Sequence, residues 1–193
     1  ICCVPVAVGA TDRSEVSTEV AMVPDSTRAF PEIVGRNLEG REFELPGDFE
    51  GKANLVLIAF QRDHQALVDT WLPVAASWAE THPAFEYYEL PTIGRGYRIF
   101  RGFIDGGMRS GIPDLDARER TITLYLDKDA FRSALGLEDE TTIYALVVDA
   151  DGRVVERLEG PYSDEKGATV ERAIESTLTG EAREPDVRGA TGE

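Results

Sequence analysis

Sulfur is nearly missing from this chain of 193 residues, whose only two cysteines are the neighbours Cys2 and Cys3. From residue 4 onward there can be no Cys-x-x-Cys pair, no disulfide framework and no thiolate metal cage. Histidine is equally scarce, with His64 and His82 alone. Basic residues are in short supply: 20 against 36 acidic ones leave a net charge of −16. That charge repels phosphate backbones and anionic lipid, so the whole-chain balance argues against nucleic-acid or membrane-surface binding. No apolar run reaches the roughly 18 residues that a bilayer span requires. What is present suits a globular protein. At 42% hydrophobic and 29% charged residues the chain can bury a core, and its length matches one domain of about 100–200 residues with tails.

The opening, Ile1-Cys2-Cys3-Val4-Pro5-Val6-Ala7-Val8-Gly9-Ala10, is apolar and ends in small residues before polar Thr11-Asp12-Arg13. It has the form of the end of a secretory signal with its cleavage site; a short buried segment is the alternative. A cut after Ala10 would leave no thiol in the mature chain. Residues 11–29 are polar and aperiodic, an expected disordered lead-in. The folded domain is expected over 30–180, followed by a polar, disordered tail at 181–193.

Within the domain, apolar and polar residues alternate on either side of a turn at Asn37-Leu38-Glu39-Gly40, which predicts a β-hairpin. The unbroken apolar run at 53–60 is a strand covered on both faces. A helix is predicted over 63–82, with Asp63 as its cap, Leu67, Trp71, Val74, Ala75 and Trp78 on one face, and a kink at Pro73. Further strands are expected at 85–90, closed by Pro91, and at 121–126. A short helix should end at Gly136. A hairpin over 142–158 turns at Asp149-Ala150-Asp151-Gly152, and a last helix runs from a Ser163 cap to Gly180. Parallel strands first, antiparallel strands last and helices between them make an α/β plan, that of the thioredoxin fold with an N-terminal β-hairpin and a helical insertion.

Leu57-Ile58-Ala59-Phe60 leading into a helix with Pro73 resembles the stretch in which thioredoxin-like proteins deliver a Cys-x-x-Cys pair to a helix N-terminus. Counted from Phe60, those cysteines would fall at Gln65 and Val68, and Ile143 stands where the family's cis-proline would be. More closely, 30–160 is similar to the family of the mitochondrial ATP synthase assembly factor that acts on the membrane-sector proton-channel subunit, a thioredoxin-like family with bacterial members. The similarity rests on Gly40-Arg41 before Leu45-Pro46, and on Asn54-Leu55-Val56-Leu57 with Gln65 and Trp71. It continues through Met108-Arg109-Ser110-Gly111-Ile112-Pro113, Thr121-Ile122-Thr123-Leu124-Tyr125, and Phe131 with Leu137, Ile143 and Tyr144. The resemblance implies a non-redox role in assembling a membrane complex.

The residues themselves offer few chemical sites. His64, beside Asp63, could shuttle protons, but no nucleophile or second histidine accompanies it, and an exposed polar residue at a loop-to-helix junction is the simpler reading. A metal pair with His82 fails, because the intervening helix would be about 27 Å long. The acidic turn at 149–152 lacks a calcium loop's ligand repeat. Asp114, Asp116, Asp127 and Asp129 read as solvated loop carboxylates.

One feature stands out. Between residues 92 and 112 four arginines, Arg95, Arg98, Arg101 and Arg109, meet a single acid, Asp105, a local charge of +3. Over 97–108, Tyr97, Phe100, Ile104 and Met108 recur at helical spacing, and the charged residues share another side. One reading docks the apolar face on the sheet and presents arginine to a partner. The other has Asp105 tie Arg101 and Arg109 into i,i+4 ion pairs on a solvated helix. Both stay open at this level.

The expectation is therefore a thioredoxin-fold domain that works by binding, with no catalytic residues, cofactor or metal. It would serve as an assembly or chaperone-type factor, exported to the periplasm or cell envelope. Asp63, His64, Gln65, Arg95, Arg98, Arg101 and Arg109 are the candidate partner-binding residues, and the partner would be a protein such as a membrane-complex subunit. The alternatives are a non-thiol enzyme using His64 as acid–base group, or a thiol oxidoreductase of the peroxiredoxin/thioredoxin class that retains Cys2 and Cys3.

Overall fold

The structure is a computed structural model that describes residues 28–180; the expected signal remnant, nearly all of the lead-in and the tail lie outside the described residues. Seven strands form one mixed sheet. The hairpin β1 (Ile33–Asn37) and β2 (Glu42–Leu45) comes first, then β3 (Ala53–Ala59), β4 (Phe85–Gly94), β5 (Ile122–Leu126), β6 (Tyr144–Asp149) and β7 (Val154–Glu159), in the order β2-β1-β5-β4-β3-β6-β7. As its sequence run requires, β3 is central, parallel to β4 and antiparallel to β6.

Strand alternation divides the core into two layers. Val56 and Ile58 face one side with Phe30, Phe43, Tyr88, Leu90, Phe131 and Leu146. Leu55 and Leu57 face the other with Trp71, Trp78, Phe85, Val147, Val170 and Ile174. The first layer is closed by α5 (Lys128–Leu135) and the second by α2 (Leu72–Thr81) and α6 (Asp164–Thr179).

The helix predicted over 63–82 is broken, not kinked. A 3₁₀ turn at Arg62–His64 leads into α1 (Gln65–Val68); a turn follows, and α2 begins at Leu72 with Pro73 in its first turn. Proline suits a helix start because its missing N–H would be unpaired there anyway. Asp63 therefore caps nothing: neither the 3₁₀ turn nor α1 has a side-chain cap. Nor does Pro91 end β4. Pairing with β3 stops at Ala59↔Pro91, where the ring has no N–H to donate, and β4 continues by pairing Thr92–Gly94 with β5.

Two aspartates expected to be solvated are helix caps. The Asp114 side chain accepts from the Ala117 N–H at 2.7 Å ahead of α4 (Leu115–Arg120), and Asp127 accepts from the Ala130 N–H ahead of α5. The expected ends of the last helix hold, with Ser163 accepting from the Lys166 N–H and Gly180 in the left-handed region. In the turn between β6 and β7, Asp149 accepts from the N–H groups of Asp151 and Arg153, so its carboxylate organises the hairpin.

Candidate functional site

The chain passes from β3 to the first helix over the stretch from Phe60 to Val68, which holds the candidate residues Asp63, His64 and Gln65. The handover is tightly tied. Lys128 Nζ donates to the Phe60 carbonyl at 3.3 Å and pairs with Glu140. Gln61 donates to the Glu140 carbonyl.

His64 is not the exposed junction residue that the sequence suggests: it is 4% exposed. Its Nδ1 accepts from the Phe60 N–H at 3.4 Å. The imidazole thus closes the loop from inside. Asp63 points to solvent beside it, and Val68 is buried in the core.

Gln65 opens α1 and does two things. Its Nε2 donates to Asp69 Oδ1 at 2.9 Å and to Glu89 Oε2 at 3.2 Å. Glu89 is the residue that sequence reasoning missed. It lies on β4 opposite Leu57, on the same face as Phe85, and is 6% exposed. Burial pushes its carboxyl above the usual glutamate value of 4.5; the Gln65 hydrogen bond opposes the shift and the Asp69 charge adds to it. The signal was readable: in Phe85-Glu86-Tyr87-Tyr88-Glu89-Leu90, period-two counting puts Glu89 on Phe85's buried face.

The sign of the linkage follows from that shift. Folded protein holds the Glu89 proton more readily than unfolded chain, so this group's contribution favours folding below pH 4.5 and is lost as pH climbs through the raised folded value. Glu89→Gln keeps an acceptor for Gln65 and removes the buried charge. It is expected to raise neutral-pH stability and to flatten the fall in stability above pH 4.5, measured by urea unfolding across that range. An unchanged pH slope would show that Glu89 stays ionised at no cost.

The arginine island forms an arm between β4 and β5, and it differs from both sequence readings. A 3₁₀ turn at Arg95–Phe100 precedes α3 (Arg101–Gly111). Asp105 links no arginines, because it accepts from the Tyr125 hydroxyl at 2.8 Å. Burial and that bond to Asp105 push the Tyr125 phenol above its normal range. The Arg101 guanidinium lies over the Tyr125 ring, 4.8 Å from its centroid. Arg109 pairs with Glu39 at 3.0 Å, and Arg95 reaches Asp127 at 3.6 Å. Three of the four arginines therefore hold the arm against its own domain. Arg98 is exposed and has no such contact. Nor does the predicted apolar face dock as a unit: Ile104 and Met108 are half-buried, but Tyr97 and Phe100 face solvent.

No group of three or more His, Cys, Asp or Glu positioned for a metal occurs among the described residues. None of the described helices is long and apolar enough to cross a membrane. The adjacent Cys2 and Cys3 lie outside the described residues.

Sheet order, helix placement and the β3-to-α1 handover together define a thioredoxin-like fold. Solved structures agree. The thioredoxin domain of a thiol-disulfide oxidoreductase from Bacteroides vulgatus matches with a TM-score of 0.53 at 21% identity, over 77% of this chain and 97% of that one. A thiol:disulfide interchange protein from Bacteroides sp. matches with 0.52 at 19%, over 81% and 94%. BsSco, a member of the Sco family of cytochrome c oxidase assembly proteins, matches with 0.53 at 12%, over 77% and 95%. At such identities the likeness shows the fold. No family model matches the chain, and no curated protein matches it.

Proposed function

We propose that this protein is a non-redox thioredoxin-fold binding module, an assembly or chaperone-type factor for a cell-envelope or membrane protein complex. One observation carries the reading. At the β3-to-α1 handover the chain presents Asp63, a buried His64 and Gln65, and residues 28–180 contain no cysteine. Thiol–disulfide exchange needs a thiolate. A His64 acid–base role is disfavoured by its burial and by the backbone bond its Nδ1 already accepts. What is left at the mouth of α1 is shape and hydrogen bonding. A fold neighbour's membership in a family of cytochrome c oxidase assembly proteins accords with the same reading.

In this reading Asp63 and Gln65 supply the contact with a protein partner, His64 holds their loop, and Arg95, Arg101 and Arg109 position the arm. The test is made in the source cell. Deleting the protein should leave envelope complexes under-assembled on native gels. The wild-type chain should restore them, and an Asp63→Lys/Gln65→Ala double variant should not. The purified domain should reduce insulin no faster than buffer. Full assembly without the protein would overturn the proposal.

A further inference from the structure

Only six large apolar side chains of the described residues are well exposed, and four of them, Tyr97, Ile99, Phe100 and Phe103, fall within one stretch of seven residues on the arm. Ile99 is 83% exposed and Phe103 86%. Single exposed hydrophobic residues are ordinary, but a cluster of this kind marks a surface that meets something apolar.

The charge around the cluster selects the occupant. Arg98 sits inside it with no charged partner, and Arg95 flanks it, held only by a 3.6 Å pair to an exposed Asp127. The stretch 95–104 contains no acid, and the first one that follows, Asp105, is turned inward to Tyr125. On a chain of −16 the outer edge of the arm thus offers arginine and apolar groups. The complement is a surface both anionic and apolar.

Shape separates a lipid surface from a protein groove. A helix that docks in a groove repeats anchors at i, i+3, i+4 and i+7. Ile99 and Phe103 make the first such step, and the following turn has only Gly106 and Gly107, around which an added Cβ would find open space. The apolar residues therefore form a short wedge at one end of the arm. A wedge of aromatic and aliphatic side chains with interleaved arginine matches the boundary between headgroups and acyl chains, about 5–10 Å deep. Such side chains bury their apolar parts and keep their polar ends at the phosphates.

We infer that the 97–103 edge of the arm inserts into the interface of an anionic lipid bilayer and holds the domain at the membrane surface. The whole-chain charge argues against lipid binding, but it is the wrong measure here. Exposed charges more than about 8 Å from the surface are screened at physiological salt, so the acidic bulk of the domain is tolerated while the arm makes contact. The inference stands apart from the proposed partner contact at Asp63 and Gln65. A domain that binds lipid and assembles nothing would sink only that proposal.

The test is co-sedimentation of the full chain with vesicles of about three parts phosphatidylcholine to one part phosphatidylglycerol, beside vesicles of phosphatidylcholine alone. Binding is expected to the anionic vesicles only and to weaken as salt rises. Phe103→Ser and Ile99→Ser should each lower it on the order of tenfold, and Arg98→Gln about fivefold. Because these side chains are exposed, their thermal melts should match wild type. The Asp63→Lys/Gln65→Ala variant should bind vesicles normally. Absence of binding to anionic vesicles, or binding indifferent to Phe103→Ser, overturns the inference. So does self-association, seen by sedimentation velocity without lipid and abolished by Phe103→Ser, if vesicles are not bound: the patch would then belong to a second copy of the chain.

Discussion

Trp71→Ala is expected to cost about 3–5 kcal/mol of folding stability, read as a lower urea midpoint at an unchanged slope. Trp71 is fully buried between α1 and α2 in the layer that also holds Leu57, Val147 and Ile174. Its indole Nε1 donates to the Gly160 carbonyl at 3.2 Å, and its ring meets Tyr162 edge-on at 5.3 Å. One turn away the Tyr162 N–H donates to Thr70 Oγ1 at 2.9 Å. The break between α1 and α2 is thus stitched to the loop that follows β7. Truncation removes the largest side chain in that stitch and strands a carbonyl. Since α1 carries Gln65, the same variant should also lower rescue of assembly. Trp71→Phe keeps an aromatic ring but loses the N–H and part of the bicycle, so it should cost less, about 1–3 kcal/mol. Equal losses in the two variants would show that packing counts for nothing here.

Asn54→Leu should be nearly as damaging, at about 2–4 kcal/mol, because it strands several buried polar groups at once. Asn54 is fully buried on the central strand. Its Oδ1 accepts from the Gly51 N–H at 2.9 Å, and its Nδ2 donates to the carbonyls of Gly51 at 2.8 Å and Val148 at 3.3 Å. One side chain therefore closes the turn before β3 and ties it to β6. The turn has no slack: a Cβ on Gly51 would lie 2.7 Å from the Ala53 carbonyl oxygen and 2.9 Å from the Glu86 nitrogen. Leucine has a similar branched outline but is bulkier, and it meets none of the three hydrogen-bonding groups. The expected readout is a lower urea midpoint together with faster amide exchange at Gly51. A loss below about 0.5 kcal/mol, the scale of an ordinary surface substitution, would mean that water replaces the amide.

The residues differ in how far their surroundings could be read in advance. Trp71 and Asn54 were visible in the sequence as members of a helix face and a buried strand, but the partner of the Trp71 indole is 89 residues away and the bond that ties Asn54 to β6 spans 94. Glu89 could have been found by strand parity, yet its partner Gln65 comes from another element. For His64 the obstacle was physical: a single polar residue at a junction looks the same from the sequence whether it faces water or accepts a backbone N–H.

Local pattern by itself determined the architecture. The apolar run at 53–60 made β3 central, the turn residues placed both hairpins, and Ser163 and Gly180 bounded α6, because hydrophobic period and capping act over a few residues. The absence of cysteine after Cys3 was equally plain, and with it the loss of thiol chemistry from that point on. Only the tertiary structure decided the fate of the arm. Helical periodicity assigned Tyr97 and Phe100 to a buried face and left Arg101 and Arg109 for a partner or for Asp105. Tyr125 and Glu39, from distant segments, took those arginines instead, and the aromatic residues were turned outward. Which side of an amphipathic segment is buried depends on the surface it meets, and that surface is assembled from parts of the chain that local periodicity does not see.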